Sequence, residues 1–469
     1  MKRLLDNVKL QGTLEIIFKF LFLLYTMISF NSILFGNRVI SFVLWPTLLL
    51  GTVLVLWRLI KYKDYYRMPG LPAMFLFLAS FIVSMLIYLR YDAKNNFITL
   101  IYLSFYFLLL YLIDEKRDLE KLKKEFRFFA WIFVIYMAIC VAVSLTQMFV
   151  GYSYVYKVQP DNYEVITGFI WGRLWGVFLD PNVASVMAVI ACYFSVYFFF
   201  HYKKIVLKVI MVINVIFQVF YIAFTDSRTA LVSIFASLFV GLFIYFWYKW
   251  ESRFINFIKA TAIALLAALI VAGIPHYTLL AYNSIASNVN ISSSSGDQDI
   301  PTVERNYDLE GDVSNRRFEI WKSALEIFEK TPVFGTSYYG IRPFAREYVP
   351  NTYIINNDQV DFRNMHNEII NVATAQGTLG LIALFWMGAS ILIFILKRFR
   401  KIEKKDFNMV CLLFTCIVCL ACSAMFVSAG MFYYSAPSTV LFWMLLGYLV
   451  FTIKKSSVKD ENSLLQGEN

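Results

Sequence analysis

Five side chains stand out in this chain as groups able to hold an anion or take a proton. Arg173 sits between two tryptophans in GFIWGRLWGVFLDPN, and Arg228 in the short turn TDSRTA between two apolar runs. Arg316 and Arg317 open RRFEIWKSALEIFEK, and His366 stands in NMHNEIINVATAQG, near the start of a helix. A guanidinium is planar, always charged and able to grip two phosphate oxygens at once, so these arginines suit a diphosphate. An imidazole that stays neutral accepts a proton, and a helix N-terminus with cations nearby favours the neutral form. Each feature has a plainer reading. An arginine at a membrane end also serves as an interfacial anchor, its stem reaching back to water. A lone loop histidine is more often a surface residue. Glu368 and Asp361 are the competing bases, and His276 and His201 read as structural.

The elements that must position these groups are membrane spans. Of the 469 residues 59% are hydrophobic and only 16% charged, with a mean hydropathy of +0.62. Twelve apolar runs, from Leu14–Phe35 to Pro437–Ile453, are each long enough to cross a bilayer whose core is about 30 Å thick. Basic residues crowd into alternate short loops (KYKDYYR, DEKRDLEKLKKEFR, HYKK, KRFRKIEKKD) and the tail KKSSVKD. By the positive-inside bias both termini are then cytoplasmic. The net charge of +11 follows from that topology and asks for no nucleic acid. All four arginines and His366 fall on the outer side, where positive charge is avoided, and that sign argues against mere anchoring.

The expected fold is thus an all-α polytopic membrane protein of about twelve transmembrane helices. Residues 1–274 carry spans one to nine, 275–377 a large extracytoplasmic loop with two helices, 378–453 the last three spans and 454–469 a cytoplasmic tail. The loop's first helix is expected over Val313–Lys330, capped by Ser314, with Phe318, Trp321, Leu325 and Phe328 at helical spacing. The second begins near His366, and Gly377 ends or breaks it. Ser284–Ser314 reads as a flexible linker, and the Asn290 sequon as chance. The six cysteines lie in apolar runs, and Cys416, Cys419 and Cys422 read as buried thiols of one helix, not a metal motif. The first apolar run reads as a retained anchor. No metal or other cofactor is expected. A transporter would show ionisable residues or broken helices at mid-membrane. The spans read as nearly free of mid-span charge, and Pro46 is the one hint of a break.

These residues resemble the bacterial O-antigen ligases and the related repeat-unit polymerases. The matches are GRLWGVFLDPN at Gly172–Asn182, DSRTALVS at Asp226–Ser233, RFEIW at Arg317–Trp321 and PVFG at Pro332–Gly335. They continue with His366-Asn367 and GTLGL at Gly377–Leu381. The likeness covers roughly Gly168 to the C-terminus. It implies a metal-independent glycosyltransferase of GT-C-like fold in the bacterial cytoplasmic membrane, using an oligosaccharide linked by diphosphate to undecaprenol. Its acceptor would be a glycan or lipid, and a flippase and a chain-length regulator its partners. It places Arg173, Arg228 and Arg317 on the diphosphate and His366 on the acceptor hydroxyl. His366 and Arg317 are the catalytic candidates; Arg173, Arg228, Arg316, Asn182 and Asn367 are the substrate-binding ones. One departure stands out, since Ser337 replaces the second glycine of a usual Gly-x-Gly after Pro332. The Lys-, Asn-, Ile- and Phe-rich composition points to an AT-rich genome and a repeat-unit polymerase over the ligase that moves glycan to another acceptor.

Overall fold

The computed structural model describes residues 8–65, 67–158, 163–250, 253–292, 300–304, 316–357, 362, 364–427 and 430–466. A helix stands at each of the twelve apolar runs. The first five are α1 (Val8–Ser29), α2 (Arg38–Ile60), α3 (Leu71–Ile87), α4 (Ala93–Phe105, continued by a π-helical turn Tyr106–Tyr111) and α5 (Leu119–Phe149). Then come α6 (Pro181–His201), α7 (Ile205–Thr225), α8 (Arg228–Lys249) and α9 (Phe254–Ser292). After the loop helices α10 (Arg317–Lys330) and α11 (Ile341–Tyr348) follow α12 (Glu368–Arg398), α13 (Lys404–Ser423) and α14 (Pro437–Gln466). Among the described residues eleven helices have the length and apolarity to span a membrane, and α3, with 17 residues, is the short one.

The last span is the axis of the bundle. Of α14's apolar window 94% is buried, against 17% for α2 and α9, so those two form the lipid-facing rim. Around α14 pack the π-helical turn, α1, α5, α12 and α13. Gly447 lets the turn come close, because a Cβ there would stand 2.5 Å from the Leu110 carbonyl oxygen.

Three expectations change. First, a small antiparallel sheet joins α5 to α6, with β1 (Ser153–Val158), β2 (Tyr163–Ile170) and β3 (Arg173–Gly176) in that order. Its strands are rich in aromatic and β-branched residues, and the Tyr156 hydroxyl ties it to the Ser32 carbonyl at 2.6 Å.

Second, α9 runs through Pro275 to Ser292, so the start of the supposed flexible tract is helix. Asn283 exchanges two hydrogen bonds with the backbone of Val303, and Asn290 two with Ile300. Seven helical residues rise about 10 Å, the reach of three extended ones. The two side-chain amides thus clamp residues 300–303 along the helix. The Ser314 cap lies outside the described residues.

Third, the spans do carry buried charge. Glu15 and Lys19, one turn apart on α1, meet Arg58 of α2, Arg117 and Glu125, all with side chains no more than 10% exposed. Lys19 reaches Glu125 at 2.8 Å and Arg58 reaches Glu15 at 2.7 Å, while Arg117 also bonds Glu125 and Tyr448 donates to it at 2.9 Å. Two ionisable residues are lost to the eye inside an apolar run. In low dielectric they persist only because each finds an opposite charge.

Candidate active site at the arginine–histidine end

The arginine half begins in the β2–β3 turn. Trp171 and Gly172 both have positive φ (52° and 67°), as a two-residue turn of this hand requires. A Cβ on Gly172 would stand 2.0 Å from the Glu304 carbonyl oxygen, so glycine is obligatory under the 300–304 segment. Arg173 leaves this turn pointing inward, only 8% exposed. Its Nε donates to the Thr225 carbonyl at 3.2 Å and its Nη2 to Asn182 Oδ1 at 3.1 Å. Its guanidinium carbon lies 5.8 Å from the Trp175 ring centre. Thr225 is the last residue of α7, a helix end whose carbonyls attract a cation.

Asn182 Oδ1 also accepts the Ser227 hydroxyl at 3.1 Å. Ser227 in turn caps α8, accepting the Ala230 N–H, and Arg228 is that helix's first residue, exposed. Asp180 caps α6 from before Pro181, taking the N–H groups of Asn182 and Val183. Three elements, β3, α6 and the start of α8, are thereby fixed to one another through one asparagine oxygen, and Arg173 adds the end of α7. Asn182, expected to touch substrate, is occupied through that oxygen with orienting Arg173.

The histidine half is built by α10 and the start of α12. Arg316, in a left-handed conformation before α10, donates to the Tyr353 hydroxyl at 3.2 Å. Arg317 opens the helix with its guanidinium carbon 6.0 Å from the Phe426 ring centre. One turn on, the Trp321 indole N–H donates to the Met365 carbonyl at 3.0 Å. The Met365 N–H goes to Asn371 Oδ1 at 2.8 Å and the His366 N–H to Asn364 Oδ1 at 3.0 Å. His366 itself has φ of 49°. Asn367 caps α12, accepting the Ile370 N–H at 3.2 Å, and its amide donates to the Met425 carbonyl at 3.3 Å. Its side chain thus holds backbone, whereas that of Asn182 holds side chains.

The imidazole of His366 is held below the ordinary histidine range, first by burial, against which the Asp180 carboxylate acts, and then by the Arg317 guanidinium. Both charges are therefore within electrostatic reach of the ring, which links the two halves. Sequence reasoning credited the cations and the helix start, whereas burial dominates and a carboxylate opposes. The rival base Glu368 is 1% exposed and accepts the Phe432 N–H at 2.8 Å and the Asn371 amide at 3.3 Å. It fastens the 430–433 loop to α12; a Cβ on Gly430 would stand 1.9 Å from its Oε2. Asp361 lies outside the described residues.

Two of the quoted motifs turn out to be one joint. Gly377 (φ 63°, ψ −156°) breaks α12, and the PVFG segment pairs with the exposed backbone. Thr336 and Ser337 N–H groups donate to Thr374 and Ala375 carbonyls, and Thr378 N–H to the Pro332 carbonyl at 2.8 Å. From α3, Ser84 donates to the Ala375 carbonyl at 2.8 Å, and Ser80 bonds Gln376. A broken helix is tolerated beside a membrane only where such partners re-satisfy it. Ser337, in place of the second glycine, sits at φ of 61°.

The expected apolar face of α10 is not its buried one. Phe318 and Leu325 are 66% and 61% exposed, and Ile320, Ala324 and Ile327 face the protein. Both sets recur at helical spacing, so periodicity alone does not choose between them. Missed by the sequence reading were Asp180, Ser227 and Trp321 as site-forming groups. Asp180-Pro181 ahead of an apolar run was the legible signal of a capped helix.

Residues 213–385 match the family model described as O-antigen ligase. The match takes in the Asp226–Ser233 turn, Arg317, the Gly377 break and His366, and leaves Arg173 and Asn182 outside it. No curated protein matches the chain. Over this matched stretch, set among the apolar helices of the described residues, the chain is similar to the O-antigen ligase family.

Proposed function

We propose that this chain is a surface-polysaccharide repeat-unit polymerase, joining undecaprenyl-diphosphate-linked oligosaccharide units at the outer face of the bacterial cytoplasmic membrane. The family supplies the class, a membrane enzyme of glycan transfer. The observation that carries the transfer chemistry, common to polymerase and ligase, is a half-buried, neutral-leaning His366 within electrostatic reach of Arg317 and of Asp180, which caps the helix whose Asn182 orients Arg173. The Lys-, Asn-, Ile- and Phe-rich composition favours the polymerase. In this reading a sugar hydroxyl of the acceptor attacks the anomeric carbon of the donor and gives its proton to His366. The bond from that carbon to the diphosphate oxygen breaks, and Arg173, Arg228 and Arg317 take up the charge of the departing lipid diphosphate. Fixed guanidinium groups supply this without a metal. Both termini are cytoplasmic, and a flippase that delivers donor and a regulator of chain length are the expected partners.

The test is purified protein in liposomes with a lipid-linked repeat unit. A ladder of products with successive added units supports the polymerase. A single transferred unit assigns the ligase, and no transfer to any glycan or lipid acceptor removes the reading.

A further inference from the structure

We infer that Trp321 is a positioning residue that couples the diphosphate-binding end of α10 to His366, by holding the turn that aims the imidazole. The inference rests on the reading of His366 as the base. His366 occupies a left-handed backbone conformation that L residues rarely adopt. Such a conformation persists only where surrounding contacts over-determine it. Three hydrogen bonds do so here. Two are accepted by Asn364 and Asn371, from the same stretch of chain as the turn. The third, from the Trp321 indole, comes from α10 and grips the Met365 carbonyl at 3.0 Å, on the residue before the histidine.

Trp321 follows Arg317 by four residues, so the two lie on one face of α10, one turn apart. A diphosphate seated on Arg317 restrains that first turn, and the indole carries the restraint to the Met365–His366 peptide. The base is thereby held in place when donor is bound. The indole packs edge-on against exposed Phe318, with ring centres 5.6 Å apart, and is itself only partly buried. Its N–H, more than its bulk, is what the rest of the site uses.

The experiment replaces Trp321 in the full-length chain with 3-benzothienylalanine, which keeps the bicyclic shape and lacks the N–H. Losing one such hydrogen bond is worth roughly three- to tenfold. The expected result is a kcat lower by that factor, a donor KM within twofold of wild type, and an acid limb of the rate profile moved up toward ordinary histidine. In a His366→Ala background the same replacement should cost nothing further. An equal loss in that background, or an unmoved kcat, overturns the coupling. So does failure of the substituted chain to accumulate, because the bond would then serve the fold. His366→Ala alone, retaining activity within a few-fold, sinks the base reading and the inference with it, a result separate from the others.

Discussion

Removing Arg173 should damage both the fold and the reaction, whereas removing Arg228 should damage the reaction alone. Arg173 is 8% exposed and gives two hydrogen bonds, to the Thr225 carbonyl and Asn182 Oδ1. A hydrogen bond from a charged donor contributes about 1.5–3 kcal/mol, so these two bonds together are worth about 3–6 kcal/mol. Water entering the gap recovers part of this, leaving an expected loss of about 3 kcal/mol. Arg228 opens α8 with its side chain exposed. Its removal should shift stability by about 0.5 kcal/mol or less. Both variants should lose binding of lipid-linked donor. The assay is thermal unfolding in detergent together with donor binding, for Ala and Lys at each position. Lys at 173 should keep one bond and restore part of the midpoint, but lacks the fork to restore binding. An Arg173→Ala protein that melts with wild type would show that Arg173 is an interfacial anchor and that the corner at Asn182 does not depend on it.

The rate should be flat near neutral pH and fall on the acid side, at a pH below the ordinary histidine value of about 6.5, because burial and Arg317 depress His366. The same depression makes its contribution to stability present above that value and lost as pH drops through the folded-state pKa. Asp180→Asn retains a helix-capping side chain but removes the charge that opposes the depression, so a rate profile should show the acid limb moved to lower pH; an upward move contradicts the facing of Asp180 and His366. Ser337→Gly should raise the thermal midpoint, since a left-handed L residue costs about 1–2 kcal/mol and the flexible unfolded glycine returns about 0.5–1. A lower midpoint would show that the serine side chain supports the joint at Gly377. Cysteine at Glu329, exposed on α10, should react with a membrane-impermeant reagent from outside, and cysteine at Lys404 should not; the reverse places the site on the cytoplasmic face.

The helical frame was legible because membrane spans announce themselves by length and apolarity, and all twelve positions were visible in the apolar runs. The sheet was not, because SYVYKV and YEVITGFI are short, and a pattern of period two over six to eight residues is easily read as loop between strong helical signals. Buried charge at Glu15 and Lys19 escaped notice for a related reason: each is one residue in a strongly apolar window, and its partners Arg58, Arg117 and Glu125 are remote in sequence. At the site, Arg173, Arg228, Arg317 and His366 could be picked out by residue type and motif. Their relation could not. Asn182 looked like a substrate ligand and serves as the hub that holds Arg173 and Ser227. Glu368 looked like a rival base and is spent on the Phe432 N–H. Roles of this kind are set by which side-chain and backbone groups the fold brings together, and a linear sequence does not display them.

The central claim is a division of labour, with arginines holding the donor diphosphate and His366 taking the acceptor's proton. It is tested most directly by measuring donor affinity and single-turnover transfer side by side for His366→Ala and Arg228→Ala. General-base catalysis is typically worth about 10²–10⁴-fold. His366→Ala should bind lipid-linked donor as wild type does and transfer it slower by that factor, while Arg228→Ala should fail at binding. A His366→Ala protein that transfers within a few-fold of wild type, or that loses donor affinity as Arg228→Ala does, would contradict it.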